Sequence, residues 1–352
     1  MPERVLSWGR LHRALLARQM LLERVALTPV QAVERLGGLQ TQYAPSAYVG
    51  LWSRLAGFRR ADLTGALHDR RIVQAWVMRS TIHMVSAGDF GPLSDAVREQ
   101  RRRLYLRSFP GARDIDHDAA TDLVRELLAR GPAKQAEIVG ALRAAGFPRT
   151  AFTGVQLWLD LVRVPPAGTW ELPRAHVHGL AETWLRRRAP VDRAAAEERL
   201  ATRYLCGFGP ATPGDLGRYA GWTITEAKAV LERLPVRRFR DPDGHLLLDV
   251  PRAPLPDADV PAPVRFLGQF DAVLLLGHAA RTRILPAEHR EEVFATRMPQ
   301  SVPTFLVDGR VAGTWRWTGT DVATTPFEPL PAGARDAVAA EAARLAAFHV
   351  DG

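Results

Sequence analysis

Gln40 and Gln42 stand two positions apart in "LGGLQTQYAPSAYVGLWSRL" (residues 36–55), between a glycine pair and Tyr43. Two readings of these neutral amides are open. In a helix the side chains point about 200° apart and mark a helix end and nothing more. In an extended segment after Gly37-Gly38 they share a side and converge on one small object, such as a water. A carboxamide takes up no proton near neutral pH, so a site built on it lacks a charged general base. It still orients a water and supports developing charge through its C=O and NH₂ groups. That suits a reaction whose leaving group is already activated.

Other residues offer binding rather than bond-breaking. Arg79, Ser80 and Thr81 fall between two β-prone runs in "RRIVQAWVMRSTIHMVS", at the tip of an expected hairpin. A solvent-facing tip suits phosphate contact. His83 alternates with Ile82 and Met84, so it faces a groove if they face the core. Arg281 and Arg283 in "ARTRIL" share one side if the run is extended, and Arg316 lies between Trp315 and Trp317. "DIDHDAATD" (114–122) carries metal-ligand types but reads as a helix cap with a precharged first turn. His176 and His178 share a strand face without a nearby third ligand. There is no phosphate-cradling loop, dinucleotide fingerprint or nucleophile elbow, so no metal and no cofactor are expected.

The elements that must hold these residues recur along the chain. Several short helices precede the hairpin around Arg79-Ser80, which is a winged-helix pattern, a helix-turn-helix variant. Helix, "GPA" turn, helix and hairpin return twice more, in 111–190 and 191–255. After the proline-rich linker "PRAPLPDADVPAP" come the strand-like runs "VRFLGQFDAVLLLG" and "PTFLVDGRVAGTWRW", then an alanine-rich helix. The expected class is α+β: winged helices at 1–110, 111–190 and 191–255, and a small β-barrel-like domain at 262–352.

Charge is unevenly spread. The 352 residues carry a net +9, and residues 1–110 hold seventeen arginines against eight acidic residues, so the whole excess lies there. Lys134 and Lys228 are the only lysines. A one-sided, arginine-built excess points to a polyanion such as DNA. Cys206 is the only cysteine, which excludes an internal disulfide and a cysteine-built zinc site. No apolar run approaches the length of a membrane span, and the expected location is cytoplasmic, at the nucleoid.

"GLQTQYAPSAYVGLWSRL", "WVMRSTIHMV", "FLGQFDAVLLLGHAARTRILPAEHREEVF" and "VDGRVAGTWR", in this order, resemble the AlkZ/YcaQ family of bacterial DNA glycosylases. The resemblance covers essentially the whole chain. It implies three tandem winged helices and a β-barrel-like domain in a C shape around a basic channel. It also implies hydrolysis of the N-glycosidic bond of N7-alkylated purines in double-stranded DNA, interstrand crosslinks of natural-product genotoxins included. Gln40-Thr41-Gln42 matches the Gln-x-Gln branch, although Thr41 departs from the family's usual aliphatic residue. Gln40 and Gln42 would be catalytic, and Tyr43, Arg79, Ser80, Thr81, His83, Arg281, Arg283 and Arg316 would contact DNA. Neither lysine sits in the basic third, so a monofunctional, monomeric hydrolase is expected, serving repair or self-resistance. The rival expectation is a non-catalytic winged-helix regulator that binds undamaged DNA.

Overall fold

A computed structural model describes residues 3–185, 191–274, 281–294 and 301–351. After β1 (Arg4–Val5) and α1 (Trp8–Arg18), one element order appears three times: helix, short strand, two helices, two strands. The first round is α2 (Pro29–Arg35), β2 (Leu39–Gln40), α3 (Pro45–Trp52), α4 (Arg60–His68), β3 (Ile72–Trp76) and β4 (Ile82–Ser86). The long helix α5 (Ala87–Ser108) leads to the second: α6 (His117–Ala129), β5 (Ala133–Lys134), α7 (Gln135–Ala144), α8 (Ala151–Trp158), β6 (Leu161–Arg163) and β7 (Val177–Leu180). The short α9 (Ala181–Trp184) follows. The third is α10 (Arg193–Phe208), a single bridging residue Ala211, α11 (Pro213–Ala220), α12 (Ile224–Glu232), β8 (Arg237–Arg240) and β9 (Leu246–Asp249). In every round the short strand pairs with the last one: Gln40 with His83, Ala133 with His178, Ala211 with Leu248.

Local chemistry sets the path to β2. Thr28 accepts a hydrogen bond from the Gln31 backbone N–H while the Gln31 side chain accepts from the Thr28 N–H, a reciprocal cap before Pro29. The helix stops because Gly37 and Gly38 take φ of 72° and 97°, which cost other residues a steric clash. At Gly38 a Cβ would also come within 3.0 Å of the Met78 side chain. The chain therefore leaves α2 extended, not helical.

The first two rounds are not separate. Their strands form one six-stranded sheet, β2-β4-β3-β6-β7-β5, joined where Gln74 pairs with Arg163. The third round is tied in by β1, which runs parallel to β8. The C-terminal strands β10 (Arg265–Leu267), β11 (Thr304–Val307), β12 (Arg310–Trp317) and β13 (Val322–Pro326) make an antiparallel sheet in that order. Among the described residues this sheet is open, with no pairing between β10 and β13, so the expected barrel is not seen. Asp308 and Gly309, at φ of 45° and 76°, form the expected tight turn between β11 and β12. The strand expected through 264–277 stops at Leu267; Phe270 takes a positive φ of 59°, and the Leu274 N–H then reaches the Asp271 carbonyl in a turn. Residues 275–280 lie outside the described residues. The C-terminal helix Ala332–Asp351 closes the sheet, and Phe266, Phe305, Leu345 and Phe348 share one core with α2–α4. No helix among the described residues is long and apolar enough to cross a membrane.

The charge surplus is not simply a surface. Among the described residues, seven of the seventeen N-terminal arginines pair with acids beyond residue 110. Two pairs, Arg18 with Asp249 and Arg54 with Asp271, are bidentate and fully buried. Arginine supplies the planar fork such pairs need. Much of the basic excess is thus structural cement between segments far apart in the chain.

Candidate active site

The motif runs along the exposed side of β2 and just past it. Thr41 is fully buried, and its N–H donates to the Ile82 carbonyl at 2.8 Å, so the backbone stays paired with β4 one residue beyond Gln40. Gln40 and Gln42 flank it, half-buried and exposed respectively. The Gln40 Oε1 accepts from Arg79 Nη2 at 3.0 Å, and the Gln42 Oε1 accepts from the Ile82 backbone N–H at 2.9 Å. One hairpin, β3–β4, therefore fixes both amides. Their NH₂ groups make no hydrogen bond among the described residues, and each carbonyl keeps a second lone pair.

Arg79 is not at a solvent-facing tip. It and Ser80 are the two central residues of the turn, closed by the Thr81 N–H to the Met78 carbonyl at 3.2 Å. Both have positive φ, 53° and 54°, the geometry of a type I′ hairpin that normally takes Asn-Gly. Neither residue suits it, which stores strain at this point. The turn folds the guanidinium back over Gln40, with its carbon 5.2 Å from the centre of the Tyr219 ring. Tyr219 in turn donates to the Gly37 carbonyl at 2.7 Å. Burial pulls the Arg79 pKa below its ordinary value, and no carboxylate pairs with it among the described residues. Ser80 and Thr81 are half-buried beside it.

His83 does not face a groove. It is 1% exposed, and burial, then the neighbouring Arg79, drive its pKa down to about 3. It is neutral, with Nδ1 3.0 Å from the Thr81 carbonyl and Nε2 3.4 Å from Arg79 Nη2. The proton on Nδ1 then leaves Nε2 as the acceptor for the arginine. His83 is too deep to touch DNA in this conformation; it backs the residue that holds Gln40.

Two cavities open beside the motif. One, of about 270 Å³, includes Gln42 and lies at the seam of the six-stranded sheet, with Gln74, Gln135, Gln156 and His178 around it. No acid or lysine lines it. The other, of about 470 Å³, begins at Tyr43 and is walled by Trp170, Trp315, Trp317 and His349, with Arg316 at its edge. Trp170, Gln74 and His349 had no pattern in the sequence to single them out, since each comes from a different segment.

The remaining candidates lie apart. Arg281 and Arg283 do not share a side of an extended run: the Leu285 N–H bonds to the Arg281 carbonyl at 2.8 Å, a helical turn. Their guanidinium groups sit over Phe294 and Trp8 respectively. Arg316 is exposed on β12, while Trp315 is buried and Trp317 stacks on His349. Asp116 caps α6 by accepting from the Ala119 N–H, and His117 stacks on Trp158. No group of three or more His, Cys, Asp or Glu is placed to hold a metal among the described residues.

Comparison with known proteins gives a consistent answer. A family model described as DNA glycosylase AlkZ-like matches residues 33–348. The chain is 26% identical to an interstrand DNA cross-link repair glycosylase of Streptomyces sahachiroi, over 96% of both chains. It superimposes on the solved structure of the Streptomyces sahachiroi DNA glycosylase AlkZ with a TM-score of 0.78, at 20% identity and 97% coverage of each. The α+β fold is shared over nearly the whole length. The chain belongs to the AlkZ-like family of DNA glycosylases, which decides for an enzyme over a non-catalytic regulator.

Proposed function

We propose that the protein is a monofunctional glycosylase that hydrolyses the N-glycosidic bond of N7-alkylated purines in duplex DNA, with Gln40 and Gln42 as catalytic residues. Bulky adducts and interstrand crosslinks are included, in line with the name of the Streptomyces sahachiroi relative. The observation that carries this reading is the Gln40-Thr41-Gln42 segment at the end of β2, whose two amide oxygens are anchored on one hairpin and beside which a cavity at Gln42 is lined by no acid or lysine.

The chemistry matches that inventory. An N7-alkylated purine is already cationic, so it departs with the bonding electrons of its glycosidic bond and needs no proton. The sugar left behind is oxocarbenium-like at C1′. A water held by the amides adds there, and its proton passes to solvent, leaving an abasic sugar and a neutral base. Carboxamide oxygens facing C1′ supply the negative end of a dipole where positive charge grows. A lyase step would need an amine close by, and Lys134 and Lys228 line neither the motif nor its hydrogen bonds.

The three rounds of helix, short strand, two helices and hairpin are best read as three winged helices with the boundaries given above, wrapped in a C around a basic channel. Tyr43, Ser80, Thr81 and Arg316 are the surface contacts to DNA in this proposal, with Arg281 and Arg283 further out. The enzyme would act as a monomer. The decisive assay is release of base from a duplex carrying one N7-methylguanine, read as strand cleavage after alkali. Release is expected; its absence, on this lesion and on crosslinked duplex alike, would falsify the substrate assignment.

A further inference from the structure

The Gln40 side chain takes its only hydrogen bond among the described residues from Arg79, so the arginine decides which way that amide faces. A guanidinium at the end of a long, rotatable stem must itself be held before it can hold another group. The turn at Arg79-Ser80 directs the side chain toward Gln40, and His83 Nε2 lies 3.4 Å from the same Nη2. Neither contact fixes the plane of the guanidinium. Its flat face lies over the Tyr219 ring, with the guanidinium carbon 5.2 Å from the ring centre. With no carboxylate paired to Arg79 among the described residues, that aromatic face is the brace on its plane.

Tyr219 belongs to the third round, in the last turn of α11, and its own place is fixed from several sides. Thr212 and Asp215 cap α11 reciprocally at its start, and Gly221 ends it with φ of 77°. The ring packs on Tyr204 and Phe208 of α10, with centres 4.9 and 5.7 Å away. The hydroxyl donates to the Gly37 carbonyl at 2.7 Å, three residues before Gln40. Arg203 of α10 pairs with Glu34 of α2 at 2.9 Å and with Asp89 at 2.7 Å, tying α10 to the helix that leads into β2. We propose that Tyr219 is a positioning residue for excision: its ring holds the plane of Arg79, and Arg79 thereby holds the direction of the Gln40 amide. This rests on the catalytic role proposed above for Gln40. The third round then governs the rate without touching the sugar or the base. Phenylalanine at this place keeps the π-face and loses only the hydroxyl, whereas leucine offers no π-face at all.

The test is a double-mutant cycle. Single-turnover excision of N7-methylguanine from duplex DNA is measured for Tyr219→Leu and Tyr219→Phe, each with Arg79 intact and with Arg79→Ala, beside affinity for an undamaged duplex. With Arg79 intact, Tyr219→Leu lowers the rate about fivefold, Tyr219→Phe stays within about twofold, and affinity holds. With Arg79→Ala in place, Tyr219→Leu changes the rate by less than about twofold, since the ring has lost the group it acts on. An equal loss in both backgrounds overturns the proposal, because the ring would then serve the fold at large. Full activity in Tyr219→Leu overturns it too, as does a Tyr219→Phe as slow as the leucine variant, which would move the role to the hydroxyl. A loss seen in affinity and not in rate has the same consequence. Should leucine leave a cavity that unfolds the chain, Tyr219→Met, longer and equally without a π-face, carries the same expectations. If the unmodified enzyme releases no base, or if Gln40→Ala is fully active, the catalytic reading fails first, and this proposal with it.

Discussion

The first and second rounds of the fold share an element order and a sheet, yet only the first carries the amide pair proposed to be catalytic. In the first, the short strand presents Gln40; in the second, Lys134 holds the same place, since the next residue in each bonds its N–H to the opposite strand in the same register. The first hairpin closes in a strained two-residue turn that folds Arg79 onto the motif. The second opens into a long loop that carries Trp170 away to the C-terminal helix. One scaffold thus holds the amide pair in one round and walls a cavity in the other. Function here resides in what is placed on the short strand and the hairpin, not in the fold that supplies them.

Four substitutions can break or sharpen this contrast. The largest effect is expected at Gln40→Ala, which lowers single-turnover excision roughly 100-fold, the scale of losing one aligned polar group, with DNA affinity kept. Lys134→Ala, at the matching position, leaves the excision rate within about twofold, and equal losses in both would end the distinction. Next comes Arg79→Ala, which frees the Gln40 amide and costs about tenfold in rate. Arg79→Lys does not restore it, because an ammonium lacks the planar face that lies over the Tyr219 ring.

His83 and His178, two of the three buried histidines among the described residues, give a pH test. Folded His83 stays neutral down to about pH 3 and His178 to about 4, whereas both protonate near pH 6.5 when unfolded. Stability is complete above pH 6.5 and is lost as pH falls toward those values. Urea midpoints measured at pH 7 and pH 4.5 should lie closer together in His83→Gln and in His178→Gln than in the unmodified chain, because both windows span that interval. The smallest effect is Ser80→Gly, which relieves one left-handed residue and raises stability by about 1 kcal/mol, read as a higher midpoint at unchanged slope.

How much of this was legible depended on distance along the chain. Gly37-Gly38 and the two β-prone runs around Arg79 are local signals, and the short strand that ends at Gln40 and the hairpin followed from them. The direction of Arg79 did not, because it is set by Gln40 and by Tyr219, 140 positions downstream. Six residues around Arg281 are too few to separate a turn of helix from a strand. The basic third looked like a continuous surface because the acids that neutralise its arginines lie far away, at Asp249, Asp271, Asp308 and Glu341. The aromatic cavity is drawn from several segments, none of which has a periodic pattern of its own.

Those long-range arginine pairs set a schedule for synthesis. Arg24 is separated by 317 positions from Glu341, the fully buried carboxylate it binds. At the usual pace of translation of about 5–20 residues per second, it waits roughly 15–60 s for that partner. During this interval Arg24 stands unpaired beside the RNA-rich ribosome, while Asp249, Asp271 and Asp308 emerge in turn for Arg18, Arg54 and Arg13. Cutting the chain before that helix would leave Arg24 and Arg265 facing the place of a buried carboxylate that never arrives.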